Sequence, residues 1–178
     1  MSDSGEHVLV DWPIAVYEEL TSLEVSQVSF VPDAGLTQLI NLCNADPAIH
    51  TIPLTSEEEG IALSAGAWLG GVRSAVLMQS SGVGNIVNML SLSRTCRFPL
   101  FILVTMRGES GEVNEWQVPM GKGAPTILDV SGVNVRRAEK EDQVARLVGQ
   151  AARTAFTCGK REAVLISQSV IGVKSFNK

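Results

Sequence analysis

Apolar positions along the chain alternate between helical spacing and short continuous runs, which predicts helices interleaved with buried strands. Trp12-Pro13-Ile14 opens a helix with a proline suited to a first turn, and Ile14, Tyr17, Leu20 and Leu23 fall on one helical face. Val28-Ser29-Phe30-Val31 reads as a strand and Pro32-Asp33-Ala34-Gly35 as a turn. Leu36, Leu39, Ile40 and Cys43 then form the stripe of a second helix. Residues 49–54 predict another strand. Residues 55–69 predict a helix with Thr55 or Ser56 as N-cap and three glutamates in its first turn, and 74–79 a third strand. Gly82-Val83-Gly84-Asn85 turns into a helix carrying Ile86, Met89, Leu90 and Leu92, followed by an apolar strand over 100–105. Residues 107–123 break the rhythm with glycines and charges, as a long functional loop would. A strand over 133–136, a helix over 141–156 and a strand over 163–167 complete the series. The expected architecture is a single α/β domain over 1–178, a mainly parallel central sheet with helices on both faces. Ligands should bind beyond the carboxyl ends of the strands.

Composition narrows the function. The 178 residues are 45% hydrophobic and 19% charged, enough apolar material for a core and incompatible with global disorder. A formal net charge of -5 lacks the basic field of nucleic-acid binders, so no nucleic-acid partner is expected. The longest apolar stretch, residues 98–106, contains Pro99 and Thr105 and is far short of the ~20 residues of a membrane span. Met1-Ser2-Asp3-Ser4-Gly5-Glu6 is polar and acidic, without the pattern of a secretory signal. Cys43, Cys96 and Cys158 form no C-x-x-C pair and are expected to pack as small apolar groups, which suits the cytoplasm. His7 and His50 lack zinc-hydrolase spacing, and no metal-ligand set is expected on this chain.

Two segments carry candidate chemistry. The first is Glu57-Glu58-Glu59-Gly60-Ile61-Ala62-Leu63-Ser64-Ala65-Gly66, an acidic helix start leading into small residues that permit close backbone approach. Glutamates there also simply complement the helix dipole. Successive residues point about 100° apart around the axis, so the three carboxylates cannot all face one ligand. The second is Gln79-Ser80-Ser81-Gly82-Val83-Gly84-Asn85 with Asn88, a strand end entering a helix through glycines, whose amides can meet a polar ligand. Neither a dinucleotide fingerprint nor a P-loop is completed there.

Together these segments resemble the pyrimidine-binding (PYR) domain of thiamine-diphosphate-dependent decarboxylases. The likeness is to the sulfopyruvate decarboxylase α-subunit family and the matching part of phosphonopyruvate decarboxylases. The resemblance rests on Glu57 with Gly66 nine positions later and on the turn from Gln79 to Asn85. It extends to Phe30-Val31-Pro32-Asp33, to the apolar strand leading to Arg107-Gly108, and to Met120-Gly121 with Ile127-Leu128. Phosphonopyruvate decarboxylases tend to carry a histidine within the stretch matching 107–123, and this chain has none there.

The resemblance implies a three-layer thiamine-diphosphate-binding fold and a catalytic role for Glu57, selected by its spacing to Gly66. In the family that glutamate hydrogen-bonds N1′ of the cofactor's aminopyrimidine and favours the imino tautomer, which deprotonates the thiazolium. Gln79, Ser80, Ser81, Gly82, Val83 and Asn85 would line the aminopyrimidine pocket. Asp33 is placed either near the reacting substrate or as a turn and cap residue. Arg107 is placed either against an anionic group of a 2-oxo acid or in a structural ion pair. No Gly-Asp-Gly motif occurs, so the diphosphate and Mg²⁺ are expected on a separate β subunit carrying the diphosphate-binding (PP) domain, in an α2β2 or higher assembly. The implied activity is decarboxylation of a small 2-oxo acid such as 3-sulfopyruvate. The alternatives are a phosphonopyruvate-like decarboxylase, a carboligase, or a non-catalytic structural or regulatory partner.

Overall fold

A computed structural model describes residues 11–172 of the chain; His7 and the acidic N-terminal segment lie outside the described residues. The strands are β1 (Val25–Phe30), β2 (His50–Pro53), β3 (Arg73–Gln79), β4 (Leu100–Thr105), β5 (Asn134–Ala138) and β6 (Arg161–Ile166). They pair in the order β2-β1-β3-β4-β6-β5, and every pairing is parallel. The helices are α1 (Trp12–Ser22), α2 (Thr37–Ala45), α3 (Glu57–Leu69), α4 (Val83–Ile86), α5 (Leu90–Cys96), α6 (Val118–Val130), α7 (Glu141–Cys158) and α8 (Gln168–Ile171).

The period of two along the central strands divides the core between the two faces of the sheet. Ala75, Leu77, Phe101, Leu103, Val164 and Ile166 pack with residues of α1, α2 and α7. Val76, Met78, Ile102, Val104, Ala163 and Leu165 pack with residues of α3, α4, α5 and α6. Burial on both sides explains why β4 reads Leu-Phe-Ile-Leu-Val-Thr without polar alternation, its six residues all buried. The chain runs outward from β1 to the edge strand β2, then returns to pair β3 on the other side of β1. The carboxyl ends of β1 and β3 therefore flank a topological switch point.

Several elements depart from the sequence expectation. On α1 the buried residues are Trp12, Pro13, Val16 and Leu20, while Ile14 is 42% exposed and Tyr17 only partly buried. The Tyr17 hydroxyl instead donates to Asp46 at 2.9 Å, which draws it to the rim. The helix expected after Gly82 is interrupted between α4 and α5. The irregular stretch over 107–123 is helical from Val118 onward. Gly121 hides that helix from propensity, yet it belongs there because a Cβ would lie 2.9 Å from the Gly108 Cα. Helix α8 follows β6 without a sequence signal. Cys43 is buried, and burial pushes its thiol up to about 11, whereas Cys96 and Cys158 are exposed rather than packed.

The α1 register is open to a direct check by denaturant unfolding. Val16→Ala is expected to cost about 2 kcal/mol through lost burial and the cavity left behind. Ile14→Ala should stay within about 0.5 kcal/mol of wild type.

Candidate active site

Parallel pairing brings the residues singled out in the sequence to one edge of the sheet. Asp33 follows β1, Gln79 ends β3 and Thr105 ends β4. The Asp33 carboxylate, 9% exposed, joins all three strand ends. Its Oδ2 accepts from the Gly35 N–H at 3.1 Å and from the Thr105 hydroxyl at 2.9 Å, and its Oδ1 accepts from Gln79 Nε2 at 3.0 Å. Asp33 thus caps the short 3-10 turn Ala34–Leu36 and orients Gln79. The Gln79 Oε1 in turn accepts from the Ser81 hydroxyl at 3.2 Å. Ser80 is fully buried, and its Oγ accepts from the Arg107 backbone N–H at 3.0 Å.

Glu57 is the first residue of α3 and the one buried member of the three glutamates. Glu58 and Glu59 are exposed, and Glu59 folds back to accept from the Thr55 N–H at 3.0 Å, completing the N-terminal turn. Among the described residues the Glu57 carboxylate has one hydrogen bond, from Asn85 Nδ2 to Oε2 at 2.7 Å. It lies against Gly82, where an added Cβ would come within 2.6 Å of Glu57 Cδ. Gly82 has an ordinary helical φ, so the close approach, not backbone freedom, requires glycine. The side chain of Val83, expected among the pocket residues, is fully buried in the core with Ile61 and Ile86, so its backbone groups are what it offers to a ligand. The short α4 directs that position inward while leaving Asn85 at the surface.

Arg107 forms a buried ion pair. Its Nε and Nη2 meet Glu112 Oε2 and Oε1, each at 2.6 Å, with the two side chains 4% and 1% exposed. The Nε and Nη2 fork of the guanidinium is engaged by the protein's own carboxylate. Glu112 also accepts from the Gly108 N–H, the Asn114 N–H and Gln168 Nε2, at 3.1, 2.9 and 3.0 Å. These bonds fasten the segment after β4 to the start of α8. Sequence reasoning missed Glu112, Thr105 and Gln168: their partners are distant in the chain or sit within an apparently irregular stretch. Two glutamates close after Arg107 were the only available signal.

On its outer side α3 presents Ala62, Leu63, Gly66 and Ala67 in an open apolar groove completed by Gly70 and Val72, beside exposed Leu69. A Cβ at Gly66 would meet nothing within 4 Å, so this face of the helix is open there, whereas a Cβ at Gly60 on the sheet-facing side would lie 2.8 Å from Val76 Cγ1. Among the described residues no group of three or more His, Cys, Asp or Glu side chains is placed to hold a metal ion. No described helix is long and apolar enough to cross a membrane.

The hydrogen bonds from Arg107 hold the Glu112 carboxyl well below the usual carboxylate range. The folded chain therefore keeps Glu112 ionised to lower pH than the unfolded chain, which takes up the proton near 4.5. The pair contributes its full stability above that value and loses it progressively as pH falls below. Glu112→Gln should cost about 3–5 kcal/mol at neutral pH, because it leaves a buried guanidinium unpaired. Denaturant midpoints measured from neutral to acid pH should show the variant missing part of the wild-type acid slope.

No protein-family model matches the chain. It is 35% identical over 161 residues to the sulfopyruvate decarboxylase subunit alpha of Methanothermobacter thermautotrophicus, covering 90% of this chain and 98% of that protein. It is 42% identical over 113 residues to the phosphonopyruvate decarboxylase of Streptomyces viridochromogenes, which takes in 62% of this chain and 28% of that protein. In three dimensions it resembles the 2-oxoglutarate:ferredoxin oxidoreductase of Magnetococcus marinus, with a TM-score of 0.70 at 15% identity. That match covers 89% of this chain and spans 29% of the oxidoreductase chain, and it supports the three-layer fold. Near full-length likeness at more than a third identity, on a fold of this architecture, establishes that the chain belongs to the sulfopyruvate decarboxylase subunit alpha family.

Proposed function

We propose that this chain is the α subunit of a cytoplasmic, heteromeric, thiamine-diphosphate-dependent decarboxylase acting on a small 2-oxo acid of the 3-sulfopyruvate type. In this reading it forms one PYR domain. The observation that carries the proposal is Glu57, a buried carboxylate at this edge with a single donor, on one oxygen, among the described residues. The other two buried carboxylates at this edge, Asp33 and Glu112, are used in holding the protein together.

The residues fit an aminopyrimidine. Glu57 Oε2 is engaged by Asn85, and Gly82 leaves the wall beside the carboxylate free of a side chain. Glu57 would hold a proton at the ring nitrogen N1′, with Ser81 and Gln79 as neutral polar groups at the pocket edge. Thiamine diphosphate, when bound, supplies the electron sink for the negative charge left as CO₂ departs. Asp33 keeps Gln79 oriented at the reacting end. Among the described residues no group of three or more His, Cys, Asp or Glu side chains gathers to hold a metal, and the sequence has no Gly-Asp-Gly. The metal and diphosphate are therefore assigned to a PP-domain β subunit, in an α2β2 or higher assembly. The open apolar face of α3 supports such a partner.

The phosphonopyruvate decarboxylase likeness supports a second substrate, a phosphonate-bearing 2-oxo acid. The test is CO₂ release from 3-sulfopyruvate and 3-phosphonopyruvate by the chain assembled with its β subunit, thiamine diphosphate and Mg²⁺. Product analysis with an added aldehyde separates decarboxylation from carboligation. Glu57→Gln is expected to lower kcat by about 10²–10⁴-fold, the usual range for a positioned acid–base group. Unchanged turnover in that variant, or full activity of the β subunit alone, would refute the proposal.

A further inference from the structure

We infer that Asn85 is a positioning residue for Glu57, its side-chain amide fixing which carboxylate oxygen is presented to the cofactor ring. The inference rests on the functional reading above and assigns Asn85 a role other than direct cofactor contact. A glutamate at the start of a helix has three side-chain torsions, and a proton held at a ring nitrogen needs one oxygen in one place. Two neighbours restrict Glu57 from opposite chemistry. Gly82 lets the carboxylate settle against backbone, and a Cβ there would displace it. Asn85 Nδ2 donates to Oε2 at 2.7 Å, leaving Oε1 as the oxygen without a hydrogen bond among the described residues.

Both neighbours come from one short segment, the 3-10 turn Ser80–Gly82 running directly into α4. The turn is itself anchored through Ser80 to the Arg107 backbone. Asn85 is exposed while Glu57 is buried, so the amide reaches inward from the rim. Its loss removes a donor without opening the core. Misplacement of a reacting group by about 1 Å can cost on the order of 10²-fold in rate. An effect of that kind falls on kcat rather than on binding.

The experiment is a double-mutant cycle on the complete enzyme assembled with its β subunit, reading kcat by radiolabelled CO₂ release alongside KM and the thiamine diphosphate dissociation constant. Asn85→Ala should lower kcat by about 10–100-fold. KM and cofactor affinity should stay within about threefold, and in the Glu57→Gln background the same change should cost less than about threefold. Asn85→Asp, which keeps the volume but lacks the donor, should also lower kcat. Equal losses in both backgrounds, or weakened cofactor binding that accounts for the loss, would overturn the inference and indicate direct contact, with the role of Glu57 intact. Wild-type turnover in Glu57→Gln alone overturns the functional reading, and this inference with it.

Discussion

Parallel pairing of six strands is the constraint from which the site follows. Because every strand points the same way, residues at the carboxyl ends of β1, β3 and β4 are delivered to one edge, although Asp33, Gln79 and Thr105 are dozens of positions apart. Parallel strands also require helical crossovers, and one of those, α3, begins at the same edge with Glu57. The reversal of strand order beside β1 opens the crevice between the two halves of the sheet. Chemistry and topology are thus coupled: moving the switch point would separate Glu57 from the turn that receives it.

Among the described residues three buried carboxylates lie along this edge, and their hydrogen bonding sorts them. Glu112 accepts from five donors, two of them on Arg107, and fastens the segment after β4. Asp33 accepts from Gly35, Gln79 and Thr105 and ties adjacent strand ends. Among the described residues Glu57 accepts from Asn85 alone. A carboxylate whose lone pairs are engaged by protein donors is a structural tie, and one with an unengaged oxygen at the edge has capacity for a ligand.

Much of the fold was legible because periodicity and burial agree. The run over 100–105 became β4 with the same bounds, and Leu39, Ile40 and Cys43 form the buried stripe of α2. Legibility failed where tertiary contacts override local preference. The glycines before Leu128 suggested a loop, yet Gly121 is the residue that lets α6 approach the Arg107 backbone. On α1 the sequence pointed to the face of Ile14, Tyr17, Leu20 and Leu23, while packing against α2 and α7 buries Val16 together with Leu20.

By itself the sequence determined the α/β architecture and the cluster of residues after Gln79, because these rest on patterns within single segments, while the choice of Glu57 among its neighbours rested on the family resemblance. Only the tertiary structure decided the roles that depend on partners from distant segments. It committed Arg107 to Glu112, turned Val83 into the core, made Asp33 a tie between strands and set Asn85 against Glu57. The physical reason is that a charged or polar side chain takes its function from the group it meets. Those meetings are fixed by the pairing of strands and not by the order of residues along the chain.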